Sequence, residues 1–221
     1  MALLISLRQL NQRFILSMSI MFLLLMSLPS LASQTIYESK CISCHGVYGE
    51  GNEALKSPSI AGLSERYIAR QLNHFKNGIR GNHEQDTSGR MMAAIAVPLT
   101  DAQIVSVSQY LAQLPFQAVP PGEKSAGFIG AGLFRQCQSC HGAKGQGEES
   151  LFAPRIAGQH LWYLTKQIEN FKSGIRGMHD EDKLGRQMVD IAKPLDNEHI
   201  ELILIHLSKL KPSGVSHESH H

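Results

Sequence analysis

Four cysteines and two histidines stand in two matching frames, Cys41-Ile42-Ser43-Cys44-His45 and Cys137-Gln138-Ser139-Cys140-His141. Residues three apart share one face of a helix, so both thiols of a frame can reach the two vinyl groups of one porphyrin as thioethers. The histidine that follows falls under the ring and can offer its Nε2 to iron. Both frames match the signature of covalent haem attachment. The expectation is two haem c groups per chain, held by Cys41, Cys44, Cys137 and Cys140, with His45 and His141 as iron ligands. A four-thiolate zinc site fits poorly, because zinc ribbons space their cysteine pairs by tens of residues and these pairs lie 96 apart. A thioredoxin-like redox pair needs a βαβ setting that the sequence lacks.

The opposite face of each iron needs a second ligand, and like sites should draw it from both frames at the same offset. Two pairs of residues qualify, Met92 with Met188 and His83 with His179. The methionines are preferred, since thioether ligation from a loop ahead of the last helix suits a small haem domain. The histidines sit in charged segments, His83-Glu84-Gln85-Asp86 and His179-Asp180-Glu181-Asp182, which read as solvated loops. His74, His160, His199 and His206 lack repeat partners and read as surface or packing residues.

The elements that position these groups are themselves repeated. Shifted by 96 residues, the chain lies on itself without a gap from Cys41 to Leu114. Gly49, Gly51, Pro58 and Ile60-Ala61-Gly62 fall on Gly145, Gly147, Pro154 and Ile156-Ala157-Gly158. Tyr67, Gln71, Phe75 and Gly78-Ile79-Arg80-Gly81 fall on Tyr163, Gln167, Phe171 and Gly174-Ile175-Arg176-Gly177. Such self-similarity marks a tandem duplication. Ahead of the cysteines the register slips by one, Tyr37 lying four before Cys41 and Phe134 three before Cys137. Gly127, Gly130 and Gly132 ahead of the second frame have no counterpart in copy one, which is expected to begin near residue 33, so its first helix is expected to be short.

Within each copy the apolar periodicity is helical. Ile68, Leu72, Phe75 and Ile79 share a face that ends near Gly78, and Leu164, Ile168, Phe171 and Ile175 repeat it. Thr100-Asp101-Ala102-Gln103 reads as a capping box for a last helix, and Asp196 as the cap of its counterpart. No segment alternates with a two-residue period, so the class is all-α. The domains are expected at 33–114 and 128–212, joined by a proline-rich linker at 115–127 and followed by a disordered tail at 213–221. Each copy has a thin core for its size, and a porphyrin would supply its missing apolar centre.

Residues 1–32 read as a secretory signal. Arg8 and Arg13 precede a 15-residue apolar run, Phe14 to Leu28, and Ser30-Leu31-Ala32 offers a small-residue cleavage site. The run falls short of the ~20 residues of a spanning helix. Without Arg8 and Arg13 the 21 basic residues fall to 19, level with the 19 acidic ones. A near-neutral chain of this kind is no nucleic-acid binder, because phosphate neutralisation needs a basic surplus.

Together, the paired Cys-x-x-Cys-His-Gly frames, the Ile-Ala-Gly segments, the Tyr67–Gly78 and Tyr163–Gly174 runs, and Met92 and Met188 ahead of Pro-Leu resemble one family. It is the two-haem cytochrome c4 group, in which two class I cytochrome c folds stand in tandem. The resemblance covers essentially the whole chain after Ala32. It implies a periplasmic electron carrier, often membrane-associated, taking electrons from a quinol-oxidising complex towards a terminal oxidase. It also implies methionine ligation at Met92 and Met188, and a hydrogen bond from each proximal histidine to the carbonyl of Pro58 or Pro154. Arg80 and Arg176 become candidates for binding haem propionates, against the commoner role of solvated surface arginines. A second function stays open, that of cytochrome subunit in a periplasmic dehydrogenase such as a sulfide-oxidising flavocytochrome. A two-haem peroxidase would need one open iron, which two repeated sixth ligands argue against.

Overall fold

A computed structural model describes residues 28–118 and 124–210, with side chains from Ser33 onward. The expected tail and most of the expected signal segment lie outside the described residues. Copy one comprises α1 (Leu28–Lys40), α2 (Ile42–His45), α3 (Glu65–Lys76), α4 (Thr87–Ala96) and α5 (Asp101–Gln113). Copy two comprises α6 (Gly127–His141), α7 (Leu161–Lys172), α8 (Lys183–Ala192) and α9 (Asn197–Lys209). Among the described residues there is no strand, only isolated bridges at Asn52–Ser57 and Glu148–Ala153. No single described helix is long and apolar enough to cross a membrane.

In each copy the first and last helices pack together, α1 on α5 and α6 on α9, and the middle helix packs beside them. The one-residue slip is absorbed at Cys41. There the helix breaks between Lys40 and Ile42, whereas α6 runs unbroken through Cys137. Tyr37 and Phe134 thus reach the same place despite their different spacing. Both are fully buried, Tyr37 against the Tyr110 ring and Phe134 against His206, which is the repeat partner of Tyr110. The Tyr37 hydroxyl also donates to the Gly46 carbonyl at 2.6 Å, tying α1 to the attachment frame.

The expected signal cleavage point at Ala32 lies inside α1. Ser33 is buried, with its Oγ 2.6 Å from Ser106 Oγ on α5.

The caps match the sequence. Thr100 and Gln103 form a complete capping box, and Asp196 accepts from the His199 N–H at 2.7 Å. Caps of this kind each stabilise by ~1 kcal/mol. One expectation is corrected. Met92 and Met188 do not sit on loops but within α4 and α8. The cause is a second pair of caps, in which Asp86 and Asp182 accept from the N–H groups of Gly89 and Gly185 and start a helix there.

The middle helices bury two faces. Ile68 and Phe75 enter the core of copy one, while Gln71 and His74 are buried on the side turned to copy two. His74 is therefore no surface residue. Its Nδ1 lies 3.8 Å from the Asp182 carboxylate across the seam, too far for a hydrogen bond. Burial lowers its pKa, Asp182 pulls the other way, and Arg70, Arg176 and Arg80 reinforce the lowering. A histidine held neutral in this way contributes stability that is present above its ordinary value of ~6.5 and lost as pH falls through its lowered one. His74→Asn, which installs the residue found at Asn170 in copy two, should flatten the decline of thermal stability on acidification. Unfolding temperatures followed from pH 7 to pH 5 would check this, and superimposable profiles for variant and wild type would refute it.

Candidate haem sites and the seam between the copies

Each attachment frame sits on the end of a helix and is followed by a tight loop. His45 and His141 are buried, and each Nδ1 faces a proline carbonyl, Pro58 O at 2.9 Å and Pro154 O at 2.8 Å. A carbonyl only accepts, so Nδ1 carries the proton and Nε2 keeps its lone pair. Burial pushes both imidazoles below the ordinary histidine range, against the opposing pull of these hydrogen bonds. Two neutral imidazoles with a free Nε2 are what iron ligation requires. Gly51 and Gly147 allow the loop to close. Both have positive φ, and a Cβ on Gly51 would lie 2.7 Å from the Pro58 carbonyl carbon.

The thiols are free and partly exposed. Burial pushes Cys41 and Cys137 up to about 11. Reactive or metal-binding thiols are shifted the other way. Among the described residues, no three His, Cys, Asp or Glu side chains converge as a metal site.

For the sixth position, the two candidate pairs differ in a way the sequence does not show. The Nδ1 atoms of His83 and His179 accept from the backbone N–H groups of Gln85 and Glu181, each at 3.2 Å. An N–H only donates, so in these histidines the proton stands on Nε2 and no lone pair is free there. They close their own loops. Met92 and Met188 are half-buried, Met188 against the cluster of Phe171, Val189 and Ala192.

Arg80 and Arg176 are buried at the seam between the copies rather than solvated. Arg80 Nη1 donates to Gln71 Oε1 at 2.6 Å, and its Nη2 crosses to Gln167 Oε1 at 2.9 Å and the Tyr163 hydroxyl at 3.3 Å. Arg176 mirrors this, to Gln167 at 2.6 Å, Gln71 at 2.9 Å and Tyr67 at 3.5 Å. Although burial pushes the Tyr67 hydroxyl up, Arg176 and Arg80 hold it below the ordinary phenol range. Both guanidiniums stack on the ring five residues before them, Phe75 or Phe171. Their Nε atoms are buried without a partner. Two buried cations with a spare donor each are suited to carboxylates, the chemistry of haem propionates. The residues present therefore fit a haem in each copy.

Other seam contacts have no repeat counterpart. His160 Nε2 lies 2.9 Å from Glu50 O, and Arg155 Nη2 donates to Ala61 O at 2.8 Å. The Arg155 guanidinium lies 3.3 Å from the centre of the Phe116 ring, so the first part of the expected linker is packed. Periodicity missed this seam. The usable signal was the repetition of Tyr67 and Gln71 in Tyr163 and Gln167, polar residues at helical spacing beside an apolar face.

The family model described as cytochrome c matches the chain twice, over residues 31–115 and 129–211. The thiosulfate dehydrogenase electron acceptor of Thiomonas intermedia (strain K12) is 34% identical over 150 residues, covering 62% of this chain and 65% of the relative. Cytochrome c4 of Pseudomonas aeruginosa is 29% identical over 181 residues, 77% of this chain and 83% of the relative. The crystal structure of reduced cytochrome c4 from Pseudomonas stutzeri superposes with a TM-score of 0.68 at 27% identity, covering 82% of this chain and 98% of that one.

Proposed function

Because this chain belongs to the cytochrome c family, whose domain it carries twice, we propose that it is a periplasmic two-haem electron carrier serving a respiratory chain. The haem supplies a one-electron Fe(III)/Fe(II) couple. The protein's part is to attach, orient and insulate it. Cys41 and Cys44 anchor one haem and Cys137 and Cys140 the other. His45 and His141 bind iron through Nε2, each held in one tautomer and orientation by its proline carbonyl. Met92 and Met188 complete the coordination and favour the reduced state. The observation that carries this reading is the pair of Nδ1–carbonyl bonds, which leave Nε2 free in both copies.

Two destinations for the electrons remain in view. Similarity to cytochrome c4 supports delivery to a terminal oxidase. Similarity to an electron acceptor of thiosulfate dehydrogenase supports the other reading, service to a periplasmic dehydrogenase. In that case the enzyme named by the relatives oxidises thiosulfate rather than sulfide.

Periplasmically expressed protein should carry two covalent haems per chain and show the ferric methionine–iron charge-transfer band. A chain without covalent haem would overturn the proposal. Stopped-flow mixing of the ferric protein with thiosulfate dehydrogenase plus thiosulfate, and of the ferrous protein with a terminal oxidase, separates the destinations. Fast reduction in the first with slow oxidation in the second would favour the dehydrogenase reading.

A further inference from the structure

Gln159, on copy two, grips the backbone of copy one at a point of chemical consequence. Its Oε1 accepts from the Ser59 N–H at 3.0 Å and its Nε2 donates to the Ser59 carbonyl at 2.7 Å. Backbone N–H and C=O have fixed roles, so this pairing fixes the orientation of the amide. Oε1 also accepts from the N–H of His160 at 3.0 Å. Both Gln159 and Ser59 are buried.

The Ser59 N–H and the Pro58 carbonyl belong to one peptide group. A continuous chain of hydrogen bonds therefore runs from His45 Nδ1–H to Pro58 C=O, and from Ser59 N–H to Gln159 Oε1. When the N–H of an amide donates, its carbonyl becomes a better acceptor, by roughly 10–30% per bond. A stronger pull on Nδ1–H makes the imidazole a more basic ligand, and a more basic ligand favours ferric over ferrous iron.

Copy one cannot return this contact. The repeat partner of Gln159 is Leu63, which has no amide to offer the Pro154–Arg155 peptide beneath His141. We propose that Gln159 is a positioning residue that tunes the haem of copy one from the neighbouring copy, through the Pro58–Ser59 peptide, and so helps to make two duplicated sites unequal. The tuning rests on the haem-carrier reading above, with His45 as an iron ligand.

Spectroelectrochemical titration of the two-haem protein tests it, with paramagnetic NMR to tell the haems apart. Gln159→Leu installs the residue of copy one. It should raise the potential of the haem at Cys41 and Cys44, shifting its ferric-to-ferrous ratio about threefold, or ~30 mV at 59 mV per tenfold. The other haem should stay where it was. In the reduced protein the Nδ1–H resonance of His45 should move upfield as its bond weakens, while that of His141 holds still. Gln159→Glu keeps an acceptor for Ser59 N–H and should not raise the potential. A leucine variant with both haems attached and both potentials unmoved, or moved together by a loosened seam, would overturn the relay and leave the carrier reading standing. Absence of covalent haem in the wild type would overturn both.

Discussion

Replacing Met188 by alanine should abolish the methionine–iron charge-transfer band of one haem, and Met92→Ala that of the other. Each substitution should lower the potential of its own haem by on the order of a tenth of a volt, within the ~0.8 V over which axial ligands set haem potentials. The matched variants His83→Ala and His179→Ala should leave both bands and both potentials in place. The reason lies in the protons. Each of these histidines spends its Nδ1 lone pair on a backbone N–H two residues on, which fixes the proton on Nε2. The proximal histidines are arranged the opposite way, with Nδ1–H donated to a carbonyl. Near-infrared absorbance of the ferric variants, followed by redox titration, decides the matter. Bands that survive in both methionine variants would remove Met92 and Met188 from the coordination sphere.

Arg80→Ala should have the next largest effect, on the seam. Arg80 is buried and bonds to Gln71 in its own copy and to Gln167 and Tyr163 in the other. Hydrogen bonds from a charged donor contribute ~1.5–3 kcal/mol each, though the buried guanidinium also carries a desolvation cost that its removal refunds. A net loss of ~2–4 kcal/mol is expected. Because the loss falls between the copies, it should separate one cooperative denaturant transition into two, each reported by its own haem. Removing a buried positive charge should also lower at least one haem potential, since a cation beside a propionate disfavours the extra positive charge of ferric iron. Unchanged cooperativity in guanidinium melts of the haem-loaded variant would show that the seam does not depend on this arginine.

Much of this protein is determined by local pattern and is legible in the sequence. The duplication is a direct match at an offset of 96 residues, while the attachment frames, the helical class and the caps at Thr100 and Asp196 depend on residues three or four apart. Such residues meet whatever the rest of the chain does. The equivalence of Tyr37 and Phe134 was half legible, since the slip in their spacing was visible but not the helix break at Cys41 that absorbs it. The methionine helices are hard to read from the sequence because their starting signals, Asp86 and Asp182, stand in charged segments that resemble loops.

The tertiary structure alone decided the rest. His74 and Asp182 stand far apart in sequence yet face each other across the seam, and Gln159 reaches a peptide 100 residues away. Pairings of that kind follow from how two folded copies dock, which no short-range periodicity encodes. The proton position on His83 was equally beyond the sequence, and that on His45 was implied there only by the family resemblance, not by any spacing. A histidine has the same composition in either tautomer, and only the neighbour placed against Nδ1, a carbonyl in one case and an N–H in the other, determines which nitrogen remains free.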